Sequence, residues 1–145
     1  MSLDIVFIHP NAAEVLYQEL NKTYSAIEPP IWAGMLASHV LSHGYSAEIL
    51  DTEALQVTDE QAVDRITKAS PRLAAFVIYG QQPSASTQNM EGAVRLAEKL
   101  RIAAPEQKIL FVGAHVAALP YETLERHGCI DFVCQNEGVY TISGL

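Results

Sequence analysis

The chain is poor in several residue types, and each shortage excludes something. Of its 145 residues only two are cysteine, Cys129 and Cys134, too few for a disulfide scaffold. Both are read as reduced thiols packed as small hydrophobes. Lysine and arginine together number nine against 17 acidic residues, a net charge of −8. A chain this short of clustered cations is not built to track nucleic acid or an anionic membrane surface. Nowhere do about 18 apolar residues run together, and Met1-Ser2-Leu3-Asp4 leads directly into a strand-like run, so neither a membrane span nor a signal peptide is expected. The expected location is cytoplasmic. Three catalytic signatures are missing as well: the phosphate loop Gly-x-x-x-x-Gly-Lys-Ser/Thr, a Gly-x-Gly-x-x-Gly after the first strand, and the Gly-x-Ser-x-Gly nucleophile elbow. There is no internal repeat and no low-complexity tract.

What is present reads as one globular domain. With 49% hydrophobic and 18% charged residues the composition is ordinary, and a chain of this length buries roughly 70% of its unfolded surface. Five short apolar runs, at 4–9, 46–50, 73–79, 108–112 and 132–134, lack clean alternation, as strands covered on both faces do. Helical patterns separate them. Pro29-Pro30 opens the first, with Ile31, Met35, Leu36 and Val40 on its apolar stripe and Gly44 at its end. Thr58 with Gln61 forms a capping box before Ala62, Val63 and Ile66. Ser86 or Thr87 caps the third helix, which carries Met90, Val94, Ala97 and Leu100, and Pro120 starts a short fourth with Leu124. A fifth opens near 137–142 and is cut short at Leu145, from which the chain is expected to be the N-terminal fragment of a longer protein. With its apolar face half built beside an edge strand, self-association is a further expectation. Strands alternating with helices imply right-handed crossovers and a doubly wound parallel sheet. Segment 11–28 is longer than an ordinary connection and is read as a functional loop or a short helix.

In such sheets ligands sit outside the carboxyl ends of the strands, near the switch in strand order. That selects His9-Pro10-Asn11, Asp51-Thr52-Glu53, Gly80 to Thr87, Gly113-Ala114-His115 and Gln135 to Gly138. Gly80-Gln81-Gln82-Pro83-Ser84-Ala85-Ser86-Thr87 offers more hydroxyls and amides than a helix cap needs, beside a glycine that admits close backbone approach. His9 and His115 follow strands on this edge, whereas His39 and His43, four apart, read as a solvated helix end rather than a zinc pair. Asp51 and Glu53 either act as an acid–base pair or simply face water, and the second reading is preferred.

Four stretches carry a resemblance. Glu28-Pro29-Pro30-Ile31-Trp32-Ala33-Gly34-Met35-Leu36-Ala37, Tyr79 to Thr87, and Phe111-Val112-Gly113-Ala114-His115 with Leu119-Pro120 resemble, in order, segments of cobalamin-binding domains that precede a radical S-adenosylmethionine domain. Asp131-Phe132-Val133-Cys134-Gln135-Asn136-Glu137-Gly138 is similar to the Asp-x-Val-x-x-Gly-Glu-Gly stretch of that family, with Asn136 in place of glycine. The resemblance implies a flavodoxin-like or Rossmann-like three-layer α/β sandwich, a five-stranded parallel sheet of order 2-1-3-4-5. It implies cobalamin bound by Gly80, Gln82, Pro83, Ser84, Ser86, Gly113, His115, Gln135 and Glu137, through shape and hydrogen bonds, with no catalytic residue and no protein ligand to a metal. It further implies a downstream domain holding a 4Fe-4S cluster and S-adenosylmethionine. The Cys-x-x-x-Cys-x-x-Cys motif of that domain is absent from these residues. Among member types the chain resembles the anaerobic oxidative cyclase of magnesium-protoporphyrin IX monomethyl ester, with methyltransferases as close competitors. Two departures stand out. The Asp-x-His-x-x-Gly signature that supplies a cobalt-ligating histidine occurs nowhere, and Gly113-Ala114 replaces the family's Gly-Gly, adding a methyl group that would crowd a nucleotide tail. The competing reading is a flavodoxin-like interaction or regulatory domain without cofactor; a phosphoacceptor receiver is excluded because the strand ends read His9-Pro10, Tyr79-Gly80 and Gln135-Asn136.

Overall fold

A computed structural model of the chain describes residues 3–11, 29–80 and 83–145. Five parallel strands, β1 (Ile5–His9), β2 (Ala47–Asp51), β3 (Leu73–Val77), β4 (Lys108–Val112) and β5 (Phe132–Val133), form one sheet of order β2-β1-β3-β4-β5. The expected order and parallel pairing are thus observed. Helix α1 (Ile31–Ser42) joins β1 to β2, α2 (Asp59–Ala69) joins β2 to β3, and α3 (Pro83–Ala103) joins β3 to β4. Two short helices, α4 (Ala114–Ala118) and α5 (Pro120–Arg126), lead to β5, and α6 (Val139–Gly144) follows it.

Strand alternation sorts the core into two layers. Ile5 and Phe7 of β1, Ala75 and Val77 of β3, and Leu110 and Val112 of β4 pack with Ala33, Leu36, Ala37 and Val40 of α1 and Ile142 of α6. Val6, Ile8, Ala74, Phe76, Ile109 and Phe111 point the other way, onto Ala62 and Ile66 of α2 and Met90, Ala93, Leu96, Ala97 and Leu100 of α3. The two layers make β1, β3 and β4 apolar on both faces, which is why those runs did not alternate. The edge strands β2 and β5 are not covered on both faces as expected, and leave Ile49 and Phe132 exposed.

Local signals explain most boundaries. The Thr58 hydroxyl accepts from the Gln61 N–H at 3.3 Å and the Gln61 side chain accepts from the Thr58 N–H at 3.0 Å, completing the capping box. Gly44 adopts φ +85 after α1, a left-handed turn that glycine takes without steric cost. Three expectations are corrected. Helix α3 begins at Pro83 rather than at a Ser86 or Thr87 cap, because proline's fixed φ suits a first helical residue. Gly113-Ala114-His115 is not an open loop, since Ala114 starts α4 immediately after Gly113. On α1 the buried face carries Ala33 and Ala37 beside Leu36 and Val40, while Ile31 (64% exposed) and Met35 (54%) face outward. The small alanines let the helix lie close to the sheet.

An ion-pair staple secures the end of the fold opposite the carboxyl edge. Arg101 of α3 donates to Asp131 Oδ2 at 2.6 Å, to the Cys129 carbonyl at 2.9 Å and to the Gln107 carbonyl at 2.9 Å. Asp131 also accepts the Ile109 N–H at 2.8 Å, tying the start of β4 to the approach of β5. Both cysteines are free and buried, as expected. Among the described residues no helix is long and apolar enough to cross a membrane.

Candidate functional site

Every strand delivers its last residues to one edge, and α1, α2, α3, α4 and α6 all begin there, with their unpaired N–H groups turned toward it. On α1, α4 and α6 the residues at the helix start, Pro30, Gly113 and Gly138, supply no side-chain cap of their own. The edge is therefore rich in backbone donors.

Its centre is locked by a serine. Ser86 lies in the second turn of α3 with no exposed surface. Its hydroxyl donates to the Ile78 carbonyl at the end of β3 and accepts the His115 N–H of α4 at 3.0 Å. One buried side chain thus fixes three segments relative to one another. Thr87, the next residue, meets His115 Nδ1 through its hydroxyl at 3.0 Å, which orients the imidazole. Asn89 donates from its side chain to the Tyr79 carbonyl at 3.1 Å.

Three glycines set the distances here. A Cβ on Gly113 would lie 2.1 Å from the Ile78 carbonyl oxygen, one on Gly80 2.2 Å from the Ala85 Cβ. Gly138 combines φ +84 with a would-be Cβ 2.9 Å from Val112, and so needs glycine on both grounds. Its N–H donates to Asn136 Oδ1 at 2.8 Å, and Thr141 Oγ1 reaches the same oxygen at 3.2 Å. The residue that departs from the family stretch therefore closes the turn into α6.

The expected site residues divide. Gly80, Ser86, Gly113 and His115 come together around the ends of β3 and β4, with Pro83 and Ser84 in the first turn of α3. Gln135 and Glu137 lie exposed beyond β5, and Glu137 is close enough to Tyr79 to influence it. Gln82 and most of segment 11–28 lie outside the described residues. Asp51 and Glu53 do not pair. Asp51 Oδ1 accepts the N–H groups of Glu53 (3.2 Å) and Ala54 (3.0 Å), whereas Glu53 faces His9, Oε2 to Nε2, at 3.7 Å. His39 and His43 lie at the end of α1, as read, with His43 exposed and His39 partly covered. His39 Nε2 meets Ser143 Oγ of α6 at 2.8 Å, His43 Nδ1 donates to the His39 carbonyl at 2.9 Å, and the rings lie 4.3 Å apart. Among the described residues no group of three or more His, Cys, Asp or Glu is arranged to hold a metal ion.

Residue-by-residue reading missed one feature. Trp32, in the first turn of α1, stacks on Tyr79 beyond β3, with ring centroids 4.5 Å apart and planes inclined by 22°. Burial raises the Tyr79 phenol above its ordinary value, and the nearby Glu137 and Cys134 add to it, so the ring stays neutral. Burial likewise pushes the Cys134 thiol up to about 11. The sequence signal was there, a tryptophan opening a helix and a tyrosine closing a strand, but only the fold makes them neighbours.

Comparison with solved structures places this architecture among known ones. The radical S-adenosylmethionine methyltransferase TsrM from Kitasatospora setae, solved with tryptophan substrate and a SAM analogue, superposes with a TM-score of 0.74 at 14% identity, over 99% of this chain and 25% of that one. OxsB, a cobalamin-dependent S-adenosylmethionine radical enzyme solved with aqua-cobalamin and S-adenosylmethionine, gives 0.68 at 16% identity, over 98% of this chain and 18% of that one. A TsrM structure with cobalamin and a 4Fe-4S cluster bound gives 0.63 at 14%, over 88% and 21%. The chain thus spans a quarter or less of the length of these proteins, and no curated protein matches it in sequence. At these identities the likeness concerns the fold. The family profile is more specific: described as the B12 binding domain, it matches residues 20–145, and the chain belongs to that family.

Proposed function

We propose that this domain is the cobalamin-holding part of a longer, cytoplasmic radical S-adenosylmethionine enzyme, and that it is not catalytic by itself. The match of residues 20–145 to the B12 binding domain carries the cobalamin reading. The site is chemically suited to such a ligand. Cobalamin is large, with neutral amide arms and a single phosphate in its tail. The edge offers backbone N–H groups at helix starts, the His115–Thr87 pair, and exposed Gln135 and Asn136, and among the described residues there it has no cationic cluster of the kind a multiply charged ligand would need. Gly80, Gln82, Pro83, Ser84, Ser86, Gly113, His115, Gln135 and Glu137 are the residues proposed to hold it. Ser86 and Gly113 serve by fixing the β3–β4 rim, His115 and the exposed amides by hydrogen bonding. With no Asp-x-His-x-x-Gly motif in the chain, the proposal assigns the cobalt no ligand from that source.

The radical part of the reading is supported by the TsrM and OxsB chains, which align with nearly all of this chain through a small share of their own length. There the 4Fe-4S cluster and S-adenosylmethionine belong to other domains, and a bound cobalamin supplies a cobalt centre able to carry an alkyl group or an electron. Whether the whole protein is a methyltransferase or an oxidative cyclase of magnesium-protoporphyrin IX monomethyl ester turns on that downstream domain; the cyclase rests on motif resemblance alone.

The test is titration with hydroxocobalamin, then desalting and an absorbance spectrum. Retention near one equivalent, with a shifted spectrum, is expected. No retention and an unshifted spectrum would refute cobalamin binding by this chain, and would favour the interaction-domain reading.

A further inference from the structure

The strand order reverses between β1 and β3, and the chain leaves those two neighbours in opposite directions. Helix α1, after β1, packs on the sheet face of Phe7 and Val77, whereas α3, after β3, packs on the face of Ile8 and Phe76. A crevice opens where such connections diverge, and it is the place where open parallel sheets take their ligands. Trp32 and Tyr79 meet across this gap. Trp32 comes from the α1 side and Tyr79 from the end of β3.

The stack has the properties of a contact surface rather than of core packing. Trp32 is the chain's only tryptophan, yet it is left 38% exposed, while Tyr79 beneath it is half-buried. Ile31 and Met35, on the same helix, are 64% and 54% exposed, and Met35 stands one turn along from the indole. The backbone that carries the lower ring is held in place: the Tyr79 carbonyl accepts from Asn89, and the preceding Ile78 N–H donates to the Val112 carbonyl at 2.7 Å. A rigid aromatic pair with one open side, rimmed by apolar side chains and set among backbone donors, suits a flat conjugated ring.

We infer that the Trp32–Tyr79 stack is a shelf for a planar ring of the ligand held at the carboxyl edge, and that Trp32 contributes to affinity through its ring. The inference rests on the cobalamin reading and extends it to two residues outside the proposed set. Cobalamin has two flat conjugated parts, the corrin and the benzimidazole base of its tail; cobinamide keeps the corrin and lacks the base. The faces of a corrin are obstructed by methyl groups and amide arms, whereas both faces of a benzimidazole are bare. The two ligands therefore separate the two sources of the same chemistry.

The experiment compares the wild-type chain with Trp32→Leu and Trp32→Phe, each titrated with hydroxocobalamin and with cobinamide. Thermal melts verify that the variants are folded. Trp32→Phe keeps a ring and should bind within about threefold of wild type, whereas Trp32→Leu keeps only apolar bulk and should lose about fivefold or more. A loss confined to hydroxocobalamin puts the base on the shelf, and an equal loss for both ligands puts the corrin there. Unchanged affinity of Trp32→Leu for both, with wild type binding, overturns the shelf and leaves the cobalamin reading standing. If the wild-type chain retains no hydroxocobalamin, both readings fall. Hydroxyl-radical footprinting of wild type, with and without hydroxocobalamin, needs no variant. Protection of Trp32 on loading supports the shelf, and unprotected Trp32 on a loaded chain refutes it.

Discussion

Replacing Gly113 by alanine tests the geometry of the β3–β4 rim directly. Its Cβ would meet the Ile78 carbonyl oxygen at 2.1 Å and the Ile78 carbonyl carbon at 2.8 Å. The first contact falls short of van der Waals distance by roughly 1 Å. Both obstacles are backbone, so no side-chain rotation relieves them; the strand ends must part. Parting them strains the Ile78 N–H bond to the Val112 carbonyl and the two bonds of the buried Ser86 hydroxyl. Overpacking costs about 1–3 kcal/mol, and a buried hydroxyl losing its partners adds about 1–3 kcal/mol. The expected loss is about 3–4 kcal/mol, a large share of the 5–15 kcal/mol that roughly bounds a domain of this kind. In a chain of this length that lowers Tm by about 10 °C. Urea denaturation followed by circular dichroism, with a thermal melt, reads the change. A loss below about 1 kcal/mol would refute the claim that the rim is closed to a single methyl group.

The companion substitution Gly34→Ala should act in the opposite sense, because Gly34 lies inside α1 with nothing within 4 Å of its would-be Cβ. It should stabilise the chain by about 0.5–1 kcal/mol through backbone entropy and helix propensity, measured by the same urea midpoints. Asp131 links stability to acid. Burial pushes its carboxyl up, but the Ile109 N–H and the Arg101 guanidinium outweigh burial and hold it below the ordinary carboxylate range. A carboxyl depressed by folding stabilises above its unfolded value of about 3.9, and that contribution is lost as pH falls through the folded value. Wild type should therefore lose stability on acidification below about pH 4, whereas Asp131→Asn should be weaker at neutral pH and show a shallower acid slope; parallel curves would refute the assignment. Cys134, raised to about 11 by burial, and Cys129, raised chiefly by burial, should resist a thiol-specific disulfide reagent in the native chain at neutral pH and react on unfolding. A fast-reacting native thiol would contradict both burials.

Much of the architecture was legible because its signals are local. Apolar runs of strand length, the Thr58–Gln61 box and the glycine at 44 act within a few residues of themselves, and each reappears in place. Helix faces were less legible. On α1, Ile31 and Met35 share the helical period with Leu36 and Val40, and periodicity cannot say which apolar stripe the sheet will cover. The small residues Ala33 and Ala37 decided it, through close approach rather than hydrophobicity. Ser86 misled for a related reason. A hydroxyl near a helix start reads as a cap, but Pro83 begins the helix a turn earlier and turns Ser86 inward to bonds with Ile78 and His115.

The sequence by itself determined the parallel sheet, the placing of candidate ligand residues after its strands, and the exclusion of phosphate-loop and nucleophile-elbow chemistry, because these depend on composition and on spacing along the chain. Tertiary structure alone decided which distant residues share the carboxyl edge. It set His9 against Glu53 and laid Trp32 on Tyr79 there, and away from that edge it tied His39 to Ser143. Such contacts follow from the handedness of the crossovers and the register of β1 against β3, geometry that exists only once the sheet has closed around its core.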